Sequence, residues 1–233
     1  MSRSSAFAHA AAALALLPLA AWANGVVVSV EGKAAVERGQ QTLNVVEALP
    51  VQPGDTLSVR EQSKVQLQFD DDSLFTVPGA AVLRVDAFEL PPEGATGPAR
   101  AVYTLVDGGL RTITGRISKD AQDVYELHTD LATVTVKGSA YAAVRCRTQC
   151  AGAKPGLYVR ADQGLITVGN GAGKLQLRPG EVGFVATPES APGRVQTSPF
   201  LDPVFASGFA FDERLEGAGE PPRIEPETPV SPS

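Results

Sequence analysis

The sequence predicts an all-β domain, a β-roll, short β-solenoid or sandwich of stacked hairpins. Three observations predict it. Short β-branched or alternating runs recur from Gly25 to about Val185, Gly- and Pro-based turns separate them, and no uninterrupted amphipathic helical stretch precedes residue 200. The runs include Val26–Val30, Lys64–Phe69, Val102–Val106, Thr133–Val136 and Lys174–Arg178, the last alternating strictly. Strict alternation puts one face of a strand in a core and the other in water. The turns are Pro53-Gly54-Asp55, Pro78-Gly79, Asp107-Gly108-Gly109, Gly169-Asn170-Gly171 and Pro179-Gly180-Glu181. Pro presets φ for a turn and Gly supplies the positive φ it needs.

Residues 1–23 read as a secretory signal peptide. Arg3 gives a positive start, Ala10–Leu17 an apolar stretch, and Ala21-Trp22-Ala23 small residues at the −3 and −1 positions. Cleavage is expected between Ala23 and Asn24. No later stretch is apolar enough to span a membrane, so the expected mature chain is periplasmic or secreted, with no transmembrane segment.

Residues 24–192 form the predicted β-domain, and two of its parts resemble each other. Glu31-Gly32 leads into Ala34-Ala35-Val36 and ends at Pro53-Gly54-Asp55. Gln163-Gly164 leads into Ile166-Thr167-Val168 and ends at Pro179-Gly180-Glu181. Two similar hairpin units that stack would bury the apolar face that one alone cannot. Residues 193–216 read as a docking segment. Asp202 and Pro203 suit the start of a short helix, and Val204, Phe205, Phe209 and Phe211 are apolar enough to pack back on the domain. Residues 217–233, where Pro alternates with acids, read as a disordered tail.

Composition excludes several function classes. The 233 residues carry a net charge of −6, which disfavours nucleic acid as a partner. Two His and two Cys leave little for a zinc site, so no metal or cofactor is expected. After signal removal His128 is the one histidine, and no Gly-x-Ser-x-Gly elbow accompanies it, so no catalytic residue is assigned. Asp70-Asp71-Asp72 reads as a solvated hairpin turn, since calcium loops alternate their acids. Gly169-Asn170-Gly171-Ala172-Gly173 precedes an alternating strand and lacks the Lys-Ser/Thr ending of a phosphate loop, so it reads as a hairpin connection.

Cys146 and Cys150 are more informative. An oxidising compartment favours a disulfide, with a free or intermolecular pair as the alternative. Four extended residues span about 13 Å, too far for a disulfide, so a bond between these two requires residues 146–150 to turn. Arg145, Arg147, Lys154 and Arg160 lie around this loop beside Tyr141 and Tyr158. They form a candidate binding loop for an anionic group; ordinary strand-end charges are the alternative.

Several segments together resemble the FecR domain, the exported domain of ferric-citrate signalling regulators. That family carries a run of the form Thr-x-x-Ala-x-x-x-Val-Arg-Gly-Thr-x-Phe. Thr129, Ala132, Val136 and Gly138 match it, while Lys137, Ser139 and Tyr141 stand where Arg, Thr and Phe are usual. Pro53–Leu57, Ser63–Pro78 and Gly108–Gly115 are similar to further family segments in the same order, so the resemblance covers about residues 25–185. It implies a non-enzymatic envelope domain that binds or senses a protein partner in signalling. This chain departs from the family's regulators, because a signal peptide stands where they have a cytoplasmic segment and a membrane helix. Polysaccharide or cell-wall binding, or a structural spacer in an envelope assembly, are the alternatives. No small-molecule ligand is identified.

Overall fold

The computed structural model describes residues 24–91, 97–119, 121–148, 150, 152–196 and 198. The signal peptide, the Asp202 helix start, most of the docking segment and the Pro-rich tail lie outside the described residues. Within them the chain forms fifteen strands: β1 (Gly25–Glu31), β2 (Ala34–Arg38), β3 (Gln41–Asn44), β4 (Pro50–Val51), β5 (Thr56–Val59), β6 (Lys64–Phe69), β7 (Leu74–Pro78), β8 (Ala81–Glu89), β9 (Arg100–Ile113), β10 (Val124–His128), β11 (Thr133–Cys146), β12 (Gly156–Asn170), β13 (Gly173–Leu177), β14 (Val182–Val185) and β15 (Gly193–Val195). A single 3₁₀ turn at Arg116–Ser118 interrupts them.

All fifteen strands join one open, mixed sheet. Every pairing is antiparallel except that of β10 with β9. Three long strands divide the sheet into two arms, because each pairs with different neighbours along its two halves. The first half of β9 lies between β8 and β10, and its second half between β7 and β11. The first half of β11 lies between β10 and β12, and its second half between β9 and β12. β12 pairs with β14 before it bends and with β13 afterwards. One arm therefore runs β3-β2-β5-β8-β9-β10-β11-β12-β13 and the other β4-β1-β6-β7-β9-β11-β12-β14-β15.

Glycines mark the bends. Gly108, Gly138 and Gly164 have φ of +75°, +55° and +69°, one in each long strand. That conformation costs little only without a Cβ. At two of them space is also lacking: a Cβ on Gly108 would lie 2.3 Å from the Ala80 carbonyl oxygen, and one on Gly164 2.2 Å from Ser139 Oγ. Strands that change sheets at such bends are how two β layers share a corner.

The arms face each other across one core. Val36, Leu57 and Leu83 of the first arm and Val27, Leu67 and Phe75 of the second belong to the same apolar cluster. Phe69 and Phe75 of the second arm pack on Phe88 and Tyr103 of the first, with ring centroids 4.8–5.3 Å apart. The burial of alternate residues in β1 shows the sequence pattern at work. β7 is buried on both faces, and there Thr76 Oγ1 accepts a 3.1 Å bond from Gln66 Nε2 directly across in β6.

Stacked solenoid units are not what the two similar segments build. Their Pro-Gly-acid turns are alike in detail. Gly54 N–H donates to the Val85 carbonyl and Val85 N–H to the Asp55 carbonyl; Gly180 N–H donates to the Ala161 carbonyl and Ala161 N–H to the Glu181 carbonyl. Asp55 and Glu181 each accept from the backbone N–H three residues earlier and pair with Arg38 and Arg194. The strands that follow differ, however. β5 pairs with β2 and β8, whereas β14 pairs with β12 and β15. The repeat is one turn design used twice, at different places in the sheet.

Candidate functional site

The disulfide-braced end of the second arm gathers most of the residues that the sequence singled out. Cys146 closes β11 and is bonded to Cys150, their Cα atoms 5.6 Å apart. The chain turns between them, as the bond requires. Ala153 N–H then donates to the Cys150 carbonyl at 2.8 Å, and Tyr158 Oη donates to the Lys154 carbonyl at 2.7 Å. Tyr158 packs on Phe184 in a tilted pair, the centroids 4.6 Å apart.

Beside this loop lies a fixed charge network. Arg145, only 8% exposed, donates from Nε and Nη2 to the two carboxylate oxygens of Asp130 at 2.5 and 3.0 Å, and from Nη1 to the Cys146 carbonyl at 2.9 Å. A planar guanidinium suits such a fork. Arg147 also reaches Asp130, at 3.1 Å, and donates to the Val106 carbonyl at 3.2 Å. The hydrogen bonds from Arg145, aided by the positive charges of both arginines, hold the Asp130 carboxyl below its usual pKa range. Arg160 pairs with Asp162 at 2.7 Å, and Arg111 reaches the same carboxylate at 3.0 Å. Arg145, Arg147 and Arg160 are engaged with carboxylates of the Thr129 turn, β9 or their own strand, and Arg147 and Lys154 are exposed. What the end presents is a braced, charge-paired surface.

The motif residues build the frame of this end. Thr129 Oγ1 accepts from the N–H groups of Leu131 and Ala132, both at 3.1 Å, and donates to the Ala132 carbonyl at 2.9 Å. This tight turn carries Asp130. Ala132 and Val136 are buried in the core. Lys137 Nζ donates to the Ala121 carbonyl at 3.1 Å. Gly138 makes the bend in β11, and Ser139 secures it: its N–H donates to Thr114 Oγ1 at 2.9 Å, and its carbonyl accepts from Thr114 N–H and Oγ1 at 2.9 and 2.8 Å. Tyr141 is fully buried.

A buried polar cluster was missed by sequence reasoning. Asp71 is 0% exposed, not part of a solvated turn. Its Oδ1 accepts from Ser73 N–H at 3.1 Å and Ser73 Oγ at 2.6 Å, and its Oδ2 from Ile117 N–H at 3.4 Å. The physical reason is the 3₁₀ turn, which lies on the β6–β7 hairpin and brings the Ile117 N–H to the carboxylate. The Asp71 carbonyl accepts from Arg116 N–H at 2.7 Å, and a Cβ on Gly115 would lie 1.9 Å from that oxygen. The one available signal was Gly115 itself, between Thr114 and the turn. Tyr103, Tyr125 and Tyr141 are fully buried around the same core, and burial raises the pKa of each.

His128 is half-exposed, its Nε2 2.8 Å from Glu126 Oε2. Residues 169–173 form the β12–β13 hairpin, as expected. Among the described residues no group of three or more His, Cys, Asp or Glu side chains is placed to hold a metal, and no helix is long and apolar enough to cross a membrane.

The fold and this braced end describe an all-β domain with a rigid, charge-paired loop face. No family model matches the chain, and no curated protein matches it. Two crystal structures of a protein provisionally assigned as an anti-sigma factor from Parabacteroides distasonis are similar to it, each with a TM-score of 0.46 and 15% identity. The match covers 62% of this chain and 61% of theirs, so the chain spans about three fifths of the length of those structures.

Proposed function

We propose that this chain is an exported, non-enzymatic FecR-type domain that binds a protein partner in the envelope as part of signalling. The carrying observation is where the FecR-like motif falls. Thr129, Ala132, Val136, Gly138 and Ser139 form the turn and bend that hold Asp130 against Arg145 and Arg147. The motif thus frames the disulfide-braced end, and that end is the proposed contact surface. A loop closed by a disulfide is already ordered, so a partner that binds it loses less conformational entropy on association. Exposed Lys154 and Arg147, with the aromatic pair of Tyr158 and Phe184 nearby, give the surface cationic groups over a disulfide-braced base.

The experiment is affinity capture from envelope extracts with the purified domain as bait, comparing the native chain with Lys154→Glu and with Cys146→Ser/Cys150→Ser. One partner retained by the native chain and lost with both variants is expected. Equal retention by all three proteins would place the contact elsewhere.

A further inference from the structure

The two arms end on outer strands, β3 and β13 in the first and β4 and β15 in the second. An outer strand leaves half of its backbone N–H and C=O groups without a strand partner, which invites pairing with another chain unless the edge is blunted. Three of these edges are blunted. β4 has two residues and opens on Pro50, which has no N–H to offer. β13 carries Lys174, and Arg194 Nη2 donates to its Gln176 carbonyl at 2.8 Å. β15 has three residues and carries Arg194 itself.

β3 has none of these protections. From Gly39 to Val46 the chain bears no charged residue and no proline. Gln41, Thr42 and Asn44 are exposed. Val46, just past the strand, is 56% exposed, the most of any large apolar side chain among the described residues. The register decides which backbone groups face out. Val45 N–H donates to the Ala34 carbonyl at 3.0 Å, and Leu43 and Gln41 follow at alternate positions, opposite Val36 and Arg38. In an antiparallel ladder the residues between them, Thr42 and Asn44, turn their N–H and C=O groups away from β2. Thr42 and Asn44 lie opposite Glu37 and Ala35 on the outer face, while Leu43 packs against the core.

This edge is complementary to itself. Turned end for end, a second β3 sets Thr42 opposite Asn44 of the second copy, Asn44 opposite its Thr42, and Leu43 opposite its Leu43 on the two-fold axis. Every outward N–H and C=O of Thr42 and Asn44 in both copies then has a partner. No like charges meet there, although the chain as a whole carries −6.

We propose that β3 pairs antiparallel with β3 of a second copy of this chain, Thr42 against Asn44, across an isologous two-fold interface. The two first arms then form one continuous sheet. The pairing is short, so the dimer forms by mass action at high local concentration rather than as an obligate unit. It uses no residue of the disulfide-braced end, and one assembly then presents two such ends.

The two cysteines of the sequence are bonded to each other, so an introduced cysteine is the sole free thiol. Opposed residues of an antiparallel pair have Cα atoms about 4.5–5.5 Å apart, within disulfide reach, whereas residues offset by two positions exceed about 7 Å. Leu43→Cys should therefore oxidise to a covalent dimer. Thr42→Cys and Asn44→Cys should each stay monomeric alone and crosslink when mixed. In sedimentation runs the native chain should shift from monomer to dimer as concentration rises. Asn44→Pro removes one outward N–H but no bond to β2, so it should stay monomeric with unchanged circular dichroism. A native chain that remains monomeric up to about 1 mM, or a dimer insensitive to Asn44→Pro, would overturn the proposal. So would Thr42→Cys and Asn44→Cys crosslinking as readily alone as together. An adduct of Leu43→Cys with another protein in envelope extracts, in place of a second copy, would overturn it as well.

Discussion

Raising the pH should unfold this protein through its buried tyrosines. Tyr103, Tyr125 and Tyr141 are each fully buried, and loss of hydration is the main reason their phenols resist ionisation. The charge of Asp71 adds to the effect at Tyr103 and, more weakly, at Tyr125. A phenol whose folded pKa is raised contributes stability that is fully present below its unfolded value, about 10. That stability is lost as the pH rises toward the folded value, because only the unfolded chain can release the proton. Each such group costs about 1.4 kcal/mol per pH unit, so three cost about 4 kcal/mol per unit above pH 10. A domain stable by about 5–15 kcal/mol should then unfold within about one to four units. The assay follows phenolate absorbance and circular dichroism together during an alkaline titration. Three of the four tyrosines should ionise in one cooperative step that coincides with loss of sheet signal. Smooth ionisation of all four near pH 10, with the sheet intact, would refute the burial argument.

Other outcomes follow from the same interior and from the braced end. Asp71→Ala removes the acceptor for Ser73 N–H, Ser73 Oγ and Ile117 N–H and should lower unfolding free energy by about 3 kcal/mol in urea titrations. Exposed Asp72→Asn should change it by less than about 1 kcal/mol, since its ion pair with Arg116 lies in water. Cys146→Ser/Cys150→Ser should cost about 2 kcal/mol on the loop-entropy estimate, read by the same titration under non-reducing conditions. Asp130 gives the acid limb: its folded pKa is depressed, so its contribution is present above the unfolded value of about 4 and is lost as the pH falls through the folded one. Melting temperatures of the native chain should drop more steeply below about pH 4 than those of Asp130→Asn.

The strands and turns were legible in the sequence because local chemistry decides them. β1 and β13 alternate, and residues 169–173 form the hairpin that the sequence proposes there. The two Pro-Gly-acid turns were read as similar and are similar, down to the carboxylate that accepts from the N–H three residues back. The arms were not legible. They depend on which strand lies beside each half of β9, β11 and β12, and a single glycine inside a strand reads locally as a turn. Asp71 was hidden for a related reason. Its neighbours Asp70 and Asp72 are exposed, and only the distant 3₁₀ turn makes the middle acid an interior one. The ion pairs of the basic loop were not legible, because Asp130 approaches it from the Thr129 turn and Asp107 from β9. Spacing along the chain does not carry that information.

The most direct test of the proposed role is contact in the living envelope. A photo-crosslinking residue replaces Lys154 at the braced tip or, as a comparison, Gln41 at the outer strand of the first arm, and adducts are resolved after irradiation of intact cells. A discrete heterologous adduct at position 154, absent at position 41 and lost with Cys146→Ser/Cys150→Ser, is the predicted result. Equal adducts at both positions, or none at 154, would contradict a partner-binding role for the disulfide-braced end.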